Sequence, residues 1–494
     1  VTRRLVLFNP RSSARRQPVL PMSLLAIEAA LPGRRPSLLV DGNLEDDSLD
    51  ALERAVAEDP EGTILAATIM PGPQLEHALP ICRALKRRHP GLTIVWGGYF
   101  PSQHWEVCVA DDAVDFVVRG HGEQVFAELV EGLDTGSLDP STIPGLAFLD
   151  GDTPRTGDRA PIPHPRDQPD WNLDLVDVPR YLRRTFLGDR TLGYHSSYGC
   201  PYFCNFCAVV NLVNGRWLAQ PAERVAATVR TYADRWGVDA VEMNDNNFFV
   251  HEARTAEFAE RIRDLGVTWW GEGRIDTLLG YDRSSWQAMR DSGLRMVFLG
   301  AESGSAETLE RMDKGGSVTP EATLEMVDRM RDWGIVPELS FVLGNPPDPE
   351  EDSRQTLEFI RRLKRINPDT EIILYLYTPV PLAGTLYDEA RASGFAFPRT
   401  LDEWVSGEWL DFVQRRSGTI PWIQRDLHHR LKEFERVLNA YYPTSTLRHL
   451  NRPKRALLRA ASAWRWHTRT YAWPLELAAL HRVMAYRRPE TSGF

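Results

Sequence analysis

The chain has only five cysteines in 494 residues, which is too few for a disulfide framework. It has no run of about 18 uninterrupted apolar residues, so no helix is expected to span a membrane. It has no excess of positive charge either, and a net charge of −10 argues against general nucleic-acid binding. The opening Val-Thr-Arg-Arg-Leu-Val-Leu-Phe-Asn-Pro is basic, but its apolar stretch is too short for a secretory signal and reads as a first β-strand. Few cysteines and no signal fit a reducing cytoplasm. The 43% apolar and 26% charged residues are those of a soluble globular protein, and the length calls for two or three domains.

Three of the cysteines stand together. Cys200, Cys204 and Cys207 lie in Ser-Ser-Tyr-Gly-Cys-Pro-Tyr-Phe-Cys-Asn-Phe-Cys, a C-x3-C-x2-C spacing. One tight loop then carries three thiolates, close enough to hold three irons of a cubane cluster. A [4Fe–4S] cube takes four ligands, so one iron stays open for a substrate or cofactor. A zinc site would want a fourth Cys or His at nearby spacing, for which His195 is the candidate. Cys82 and Cys108 read as core thiols. The cysteine run, with aromatic Phe206 before the last cysteine, resembles the cluster loop of the radical S-adenosylmethionine (SAM) enzymes. The resemblance implies a [4Fe–4S] cluster whose open iron chelates S-adenosyl-L-methionine, and an external electron donor of flavodoxin or ferredoxin type. Its product is a 5′-deoxyadenosyl radical, which the protein aims at one C–H bond.

Residues 1–140 alternate short β-rich runs with amphipathic helical stretches, a pattern that predicts a doubly wound parallel sheet. Strands are expected at Leu5–Asn9, Ser37–Asp41, Thr63–Thr68, Thr93–Gly97 and Phe116–Arg119. Ligands of such sheets sit beyond the carboxyl ends of the strands. Gly97 and Gly98 follow the fourth strand there, and Gly120-His121-Gly122-Glu123 the fifth. Each glycine turn is as consistent with a structural turn as with a binding loop. Their order, set before a cluster loop, resembles the Rossmann-like cobalamin-binding domain of the B12-dependent radical SAM enzymes. The resemblance implies cobalamin held by Gly97, Gly98, Gly120 and Gly122. The Asp-x-His-x-x-Gly signature that supplies a lower cobalt ligand is absent, with Asn9-Pro10-Arg11-Ser12 in its place. A lower face without protein histidine is therefore expected, or a degenerate domain without corrinoid.

Residues 141–190, with Pro161, Pro163, Pro165 and Pro169 closely spaced, read as an extended linker. Residues 191–400 resume strand–helix alternation. Their strands end in polar or glycine-rich turns that should converge at one face of a partial (β/α)6 barrel of the triose-phosphate-isomerase type. The resemblance assigns SAM contacts to these turns: Asp245 for the methionyl amino group, Glu302 and Ser303 for ribose or methionine, and Gly344 near adenine. Arg274 suits the carboxylate, since a guanidinium offers paired donors.

Residues 401–494 are read as a mostly helical region that selects the substrate or a partner. Its last stretch interleaves Arg452, Lys454, Arg455, Arg459, Arg465 and Arg469 with Trp464, Trp466, Tyr471 and Trp473. Leu457, Ala460, Ala461 and Trp464 share one helix face. Either that helix packs on the barrel with a solvated basic face, or it makes peripheral membrane contact, or it meets a nucleic acid or another anionic partner. The leading functional expectation is a methyltransferase acting on an unactivated carbon of a small-molecule substrate, a secondary metabolite or lipid, through the deoxyadenosyl radical and methylcobalamin. A B12-dependent radical SAM cyclase or oxidoreductase without methyl transfer fits the architecture equally. A non-catalytic corrinoid or cluster sensor would not need the turn carboxylates.

Overall fold

The computed structural model describes residues 2–12, 18–33, 35–314, 318–382, 384–413, 421–423 and 425–486. The chain forms two compact units. One comprises Val1–Tyr181, Asn211–Val213 and Phe397–Val413, the other Leu182–Val210, Asn214–Ala396 and Gln414–Phe494.

The first unit is built on strands β1 (Arg4–Asn9), β2 (Ser37–Asp41), β3 (Thr63–Thr68), β4 (Thr93–Gly97) and β5 (Phe116–Val118), all parallel to their neighbours in the order β2-β1-β3-β4-β5. Leu5, Val6, Leu7 and Phe8 are all fully buried, because helices cover both faces of the sheet. Val6 and Phe8 join one core with Leu52, Leu75 and Leu85, while Leu5 and Leu7 join another with Leu24, Val125 and Leu129. The period of two along β1 thus feeds two separate cores.

The proline-rich connector contributes more than extended chain. Strands β6 (Leu146–Asp150) and β7 (Thr153–Thr156) form a hairpin that continues the sheet antiparallel beyond β5. Composition pointed to no strand here, although the closely spaced prolines come only after the hairpin.

Phe397–Val413 also packs on this unit. Trp404, 3% exposed, lies edge-on to Phe100 at 4.9 Å and against His104 at 4.4 Å. Arg83 links the same segment by donating to Asp111 at 2.6 Å and Asp402 at 2.7 Å. Desolvation holds His104 down to about 4, so it is a neutral packing residue.

The second unit carries six parallel strands in the order β15-β14-β13-β12-β11-β8: β8 (Thr191–Tyr194), β11 (Ala240–Met243), β12 (Thr268–Gly273), β13 (Leu294–Glu302), β14 (Val336–Leu343) and β15 (Glu371–Leu376). Helices such as Ala222–Trp236, Pro320–Trp333 and Pro349–Ile366 connect them, giving a partial barrel. Between β8 and β11 a short ribbon pairs β9 (Ser197–Gly199) with β10 (Trp217–Ala219). Helices Arg425–Tyr441, Arg452–Thr468 and Leu475–Val483 complete the unit.

Trp404→Ala is expected to destabilise the first unit by about 3–5 kcal/mol, the cost of emptying a large aromatic site. Thermal melts of wild type and variant check it, and an unchanged midpoint would show that the Phe397–Val413 segment does not hold the unit together.

Candidate active site

The cysteine loop leaves β9 at Gly199, whose φ of +84° turns the chain sharply into Cys200. The ribbon partner Trp217 opposes Gly199, and its indole donates to the Asn247 carbonyl at 3.0 Å. The far side of the loop is held by Asn205, whose backbone N–H donates to the Met312 carbonyl at 3.0 Å and whose amide donates to that of Arg311. Two N–H groups face the sulfurs: Asn247 Nδ2 lies 3.8 Å from Cys200 Sγ and an Arg274 terminal nitrogen 3.6 Å from Cys204 Sγ.

Hydrogen bonds to sulfur of this kind stabilise a thiolate or cluster sulfur. As bare thiols Cys204 and Cys207 would stay protonated. Burial raises Cys204, and it pushes Cys207 up to about 12. A bound metal reverses that preference by deprotonating its thiol ligands. Among the described residues no three His, Cys, Asp or Glu side chains converge on one point for a single metal ion. A cubane takes its three thiolates at three separate corners, so the donor set fits a cluster better than zinc. His195, the candidate fourth zinc donor, has a buried Nε2 without a partner and packs near Tyr198 at 5.9 Å.

Asp245 follows β11 and is fully buried. Its Oδ1 is saturated, accepting from Ser196 N–H at 3.1 Å, Ser196 Oγ at 2.8 Å and Ser197 Oγ. Its Oδ2 is buried with no partner. A lone carboxylate oxygen in that state is costly unless a donor arrives, and an ammonium group suits it.

Arg274 follows β12. Its guanidinium binds both carboxylate oxygens of Asp276, at 3.0 and 2.8 Å, donates to the Lys314 carbonyl, and stacks 3.6 Å above the Tyr202 ring of the cysteine loop. These commitments make it a clamp on the loop rather than a free carboxylate receptor. Glu302 ends β13 with a φ of +62°, a left-handed conformation that a glutamate adopts only under constraint. Lys314 donates to its Oε1 at 2.6 Å, and Ser340 to its Oε2 at 3.2 Å. Cys204, Arg274, Lys314 and Glu302 therefore form one connected network.

Ser303 and Gly344 point elsewhere. The Ser303 hydroxyl donates to Asp352 at 2.9 Å and meets Thr356. The Gly344 carbonyl accepts from the Trp422 indole at 3.0 Å, and a Cβ on Gly344 would lie 2.4 Å from Ile423. Sequence reasoning missed Lys314, a lone lysine with no periodic context, and passed over Asn247 although it stands two residues after Asp245. Beside the loop lies a cavity of about 470 Å³ lined by Phe203, Asn205, Arg311 and Thr385, among others.

The barrel face turned away from the helices is rich in carboxylates. Glu272, Phe298, Glu338 and Glu371 stand side by side across β12 to β15, and Glu242 is opposite Trp270. Arg183 neutralises Glu242, and Trp270 donates to Glu338 at 2.9 Å. Burial pushes Glu338 up to about 8. Burial with the Glu338 and Asp245 carboxylates does the same to Glu272. Both are neutral acids at pH 7.

In the first unit the glycine turns divide. Gly98 has a φ of +93°, and a Cβ there would lie 2.9 Å from Thr68 Oγ1 and 3.1 Å from the Ile69 nitrogen. A Cβ on Gly122 would meet Ile27 and Val118 at 3.2 Å, and one on Gly97 would make ordinary contact with Val118. Gly120, with a φ of +77°, has nothing within 4 Å of its Cβ position. Of the histidines here, His77 Nδ1 accepts from the Arg11 N–H at 3.0 Å. Cys82 and Cys108 are fully buried core thiols, and burial pushes Cys82 up to about 12.

Comparison with known proteins agrees with this division of labour. Residues 14–130 match the B12 binding domain family and residues 194–360 the Radical SAM superfamily. An uncharacterized methyltransferase of Pyrococcus horikoshii is 25% identical over 69% of this chain and 73% of its own length. The anaerobic magnesium-protoporphyrin IX monomethyl ester cyclase of Synechocystis is 26% identical over 76% of this chain and 74% of its own. In fold, the chain resembles the radical S-adenosylmethionine methyltransferase TsrM from Kitasatospora setae, with a TM-score of 0.62 and 20% identity over 76% of this chain and 75% of that one.

Two outcomes follow from this geometry. Cys200→Ala, Cys204→Ala and Cys207→Ala should each abolish cluster absorption after anaerobic reconstitution, whereas Cys82→Ala and Cys108→Ala should retain it; wild-type protein holding zinc alone would refute the cluster. Glu272 and Glu338 ionise near 4.5 when unfolded and near 8 when folded, so the folded state holds the extra protons between those values. Stability should fall progressively as pH rises from about 4.5 to about 8, by a few degrees in the melting midpoint between pH 6 and pH 9. Glu272→Gln should flatten that dependence.

Proposed function

The chain belongs to the cobalamin-dependent radical SAM enzymes, and from that premise we propose that it methylates an unactivated carbon of a small-molecule substrate. Cys200, Cys204 and Cys207 would hold a [4Fe–4S] cluster, and the carboxyl ends of β1, β3, β4 and β5, with their glycine turns, a cobalamin. When bound, these groups with S-adenosylmethionine supply an organic radical that abstracts hydrogen and a methyl group to replace it. The observation that carries the reading is the cysteine loop with an N–H group on the Cys200 and Cys204 sulfurs and the orphaned Asp245 Oδ2 in the adjoining turn.

Each residue then has a task. Asp245 Oδ2 receives the methionyl amino group, because its other oxygen is already saturated. Glu302, held by Lys314 and Ser340, fixes the ribose or methionine portion. Arg274 acts as a positioning residue that keeps Cys204 in place. Ser303 supports the Glu302 turn through Asp352. Gly344 shapes the following turn, and Gly120 offers backbone to the corrin, with Gly97, Gly98 and Gly122 setting the turns around it. Cleavage of S-adenosylmethionine consumes an electron, which calls for a donor of flavodoxin or ferredoxin type. The reducing cytoplasm is where such a thiolate-held cluster survives.

The similarity to the Synechocystis cyclase supports a second reading, radical cyclisation or oxidation without methyl transfer. Anaerobic incubation with reductant, hydroxocobalamin, methyl-deuterated S-adenosylmethionine and small molecules from the pathway encoded by neighbouring genes separates the two. Methyl transfer predicts a labelled product with S-adenosylhomocysteine and 5′-deoxyadenosine in equal amounts. Deoxyadenosine with an unlabelled, altered product would establish the second reading. Electron paramagnetic resonance of the cob(II)alamin form should lack axial nitrogen splitting, since Asn9-Pro10-Arg11-Ser12 stands where the lower-ligand histidine signature would be. Failure of the pure protein to retain cobalamin would defeat the methylation reading.

A further inference from the structure

The basic helix Arg452–Thr468 is held with its apolar stripe facing outward. Leu458, Ser462, Arg465 and Trp466 are its buried positions. Trp466 stacks on Tyr441 at 5.6 Å and 12°, and the Arg361 guanidinium lies 4.2 Å above it. The opposite stripe, Pro453, Ala456, Leu457, Ala460 and Trp464, is exposed at spacings of three and four residues. The helix packs by one face, as one of the alternatives read from the sequence had it, but what it offers to solvent is apolar at the centre and basic at the edges.

The exposure is concentrated. Among the described residues nine large apolar side chains are exposed, and five of them are Leu457, Trp464, Trp473, Leu475 and Val483. Trp473 is 76% exposed and Val483 84%. Single exposed apolar residues need no explanation, but five within one stretch of two packed helices and the turn between them do. Charge is concentrated with it. Between positions 444 and 486 stand Arg448, Arg452, Lys454, Arg455, Arg459, Arg465, Arg469 and Arg482 against the single acid Glu476, in a chain whose net charge is −10. Arg448, Arg465 and Arg469 pair with Asp189, Glu476 and Glu358. The other five have no carboxylate partner among the described residues. Lys454 and Arg455 reach backbone carbonyls, and Arg459 lies over Tyr441.

We propose that helices Arg452–Thr468 and Leu475–Val483 seat this protein on an anionic lipid bilayer, with Leu457, Trp464, Trp473, Leu475 and Val483 entering the interface and Arg452, Lys454, Arg455, Arg459 and Arg482 meeting the headgroups. Tryptophan and leucine gain by leaving water at that depth, and each basic group near the surface adds electrostatic attraction. Among the described residues no helix is long and apolar enough to cross a membrane, and the contact proposed is peripheral. A nucleic acid would require cations at the centre of the face, where this one carries alanine, leucine and tryptophan. The acidic remainder of the chain is repelled by the same surface, which orients the protein with this end down. The inference is independent of the methylation reading.

The test is cosedimentation of the full chain with phosphatidylcholine vesicles and with mixed phosphatidylcholine–phosphatidylglycerol vesicles. Binding should require the anionic lipid and weaken as salt rises. Arg452→Gln and Lys454→Gln should each cost roughly fivefold in affinity. The double variant Leu457→Glu with Trp464→Glu should lose binding by about tenfold or more while keeping the wild-type melting midpoint, since both side chains are exposed. Equal binding to neutral vesicles, wild-type affinity in the double variant, or an apolar face that instead holds two copies of the chain together would overturn the proposal. So would tighter binding to DNA or RNA than to the anionic vesicles.

Discussion

The second unit turns on one buried guanidinium. Arg274 is 6% exposed and simultaneously binds Asp276, the Lys314 carbonyl, the Tyr202 ring and the Cys204 sulfur. A buried cation is tolerable only when its donors are satisfied and its charge is met. Asp276, two residues away, meets the charge, and the remaining donors reach the cysteine loop and the Lys314 carbonyl. Through the Lys314 carbonyl the same clamp fixes the lysine whose ammonium reaches Glu302. The loop, the β12 turn and the β13 turn are thus joined through one side chain, and separating the β13 turn from Lys314 would leave Glu302 without its cation in the interior. Lysine could not replace this residue, because the geometry uses the planar fork and the ring stack together.

The rest of the barrel interior follows from the same balance. Glu242 has Arg183 and Glu302 has Lys314, so each is an ion pair. Glu338 and Glu272 have no such cation and respond by holding their protons, the usual outcome when burial and like charge act together. Across β11 to β14 the carboxylates of this face are therefore either protonated, as Glu272 and Glu338 are, or closed into ion pairs, as Glu242 and Glu302 are. Neutral acids donate as well as accept hydrogen bonds, which gives the interior a capacity that ionised glutamates would lack.

How much of this was legible in sequence depended on whether the signal was local. The parallel strands of the first unit declared themselves through continuous apolar runs such as Leu5–Phe8, and the cysteine spacing declared the loop. Strand β8, Thr-Leu-Gly-Tyr, is four residues with no alternation, and only its pairing with β11 makes it a strand. Asp245 could be singled out because it ends a strand in a polar turn. Lys314 could not, because its partner Glu302 is brought to it by the fold. The roles of Arg274 and Ser303 depend on Asp276 and Asp352, and a sequence shows that these carboxylates exist without showing which cation or hydroxyl they capture. The helix Arg452–Thr468 is the sharpest case. Its two faces were readable, but which of them turned inward was decided by Tyr441 and Arg361 meeting Trp466.

The glycine turns of the first unit show that one sequence sign can have two physical causes. Gly98 is a glycine because the backbone of the β3 turn passes too close for any side chain, so its identity reports packing within the protein. Gly120 adopts a left-handed φ with open space where a Cβ would be, so its identity reports backbone conformation alone and leaves its surface free. The two turns are nevertheless coupled, since the Ser102 hydroxyl donates to the Gly98 carbonyl at 2.6 Å and accepts from the Gly120 N–H at 2.8 Å. Substitution at Gly98 would therefore shift the Gly120 turn through Ser102 without touching any ligand. A loss of cofactor in a Gly98 variant would report that linkage, and only a change at Gly120 would report a contact.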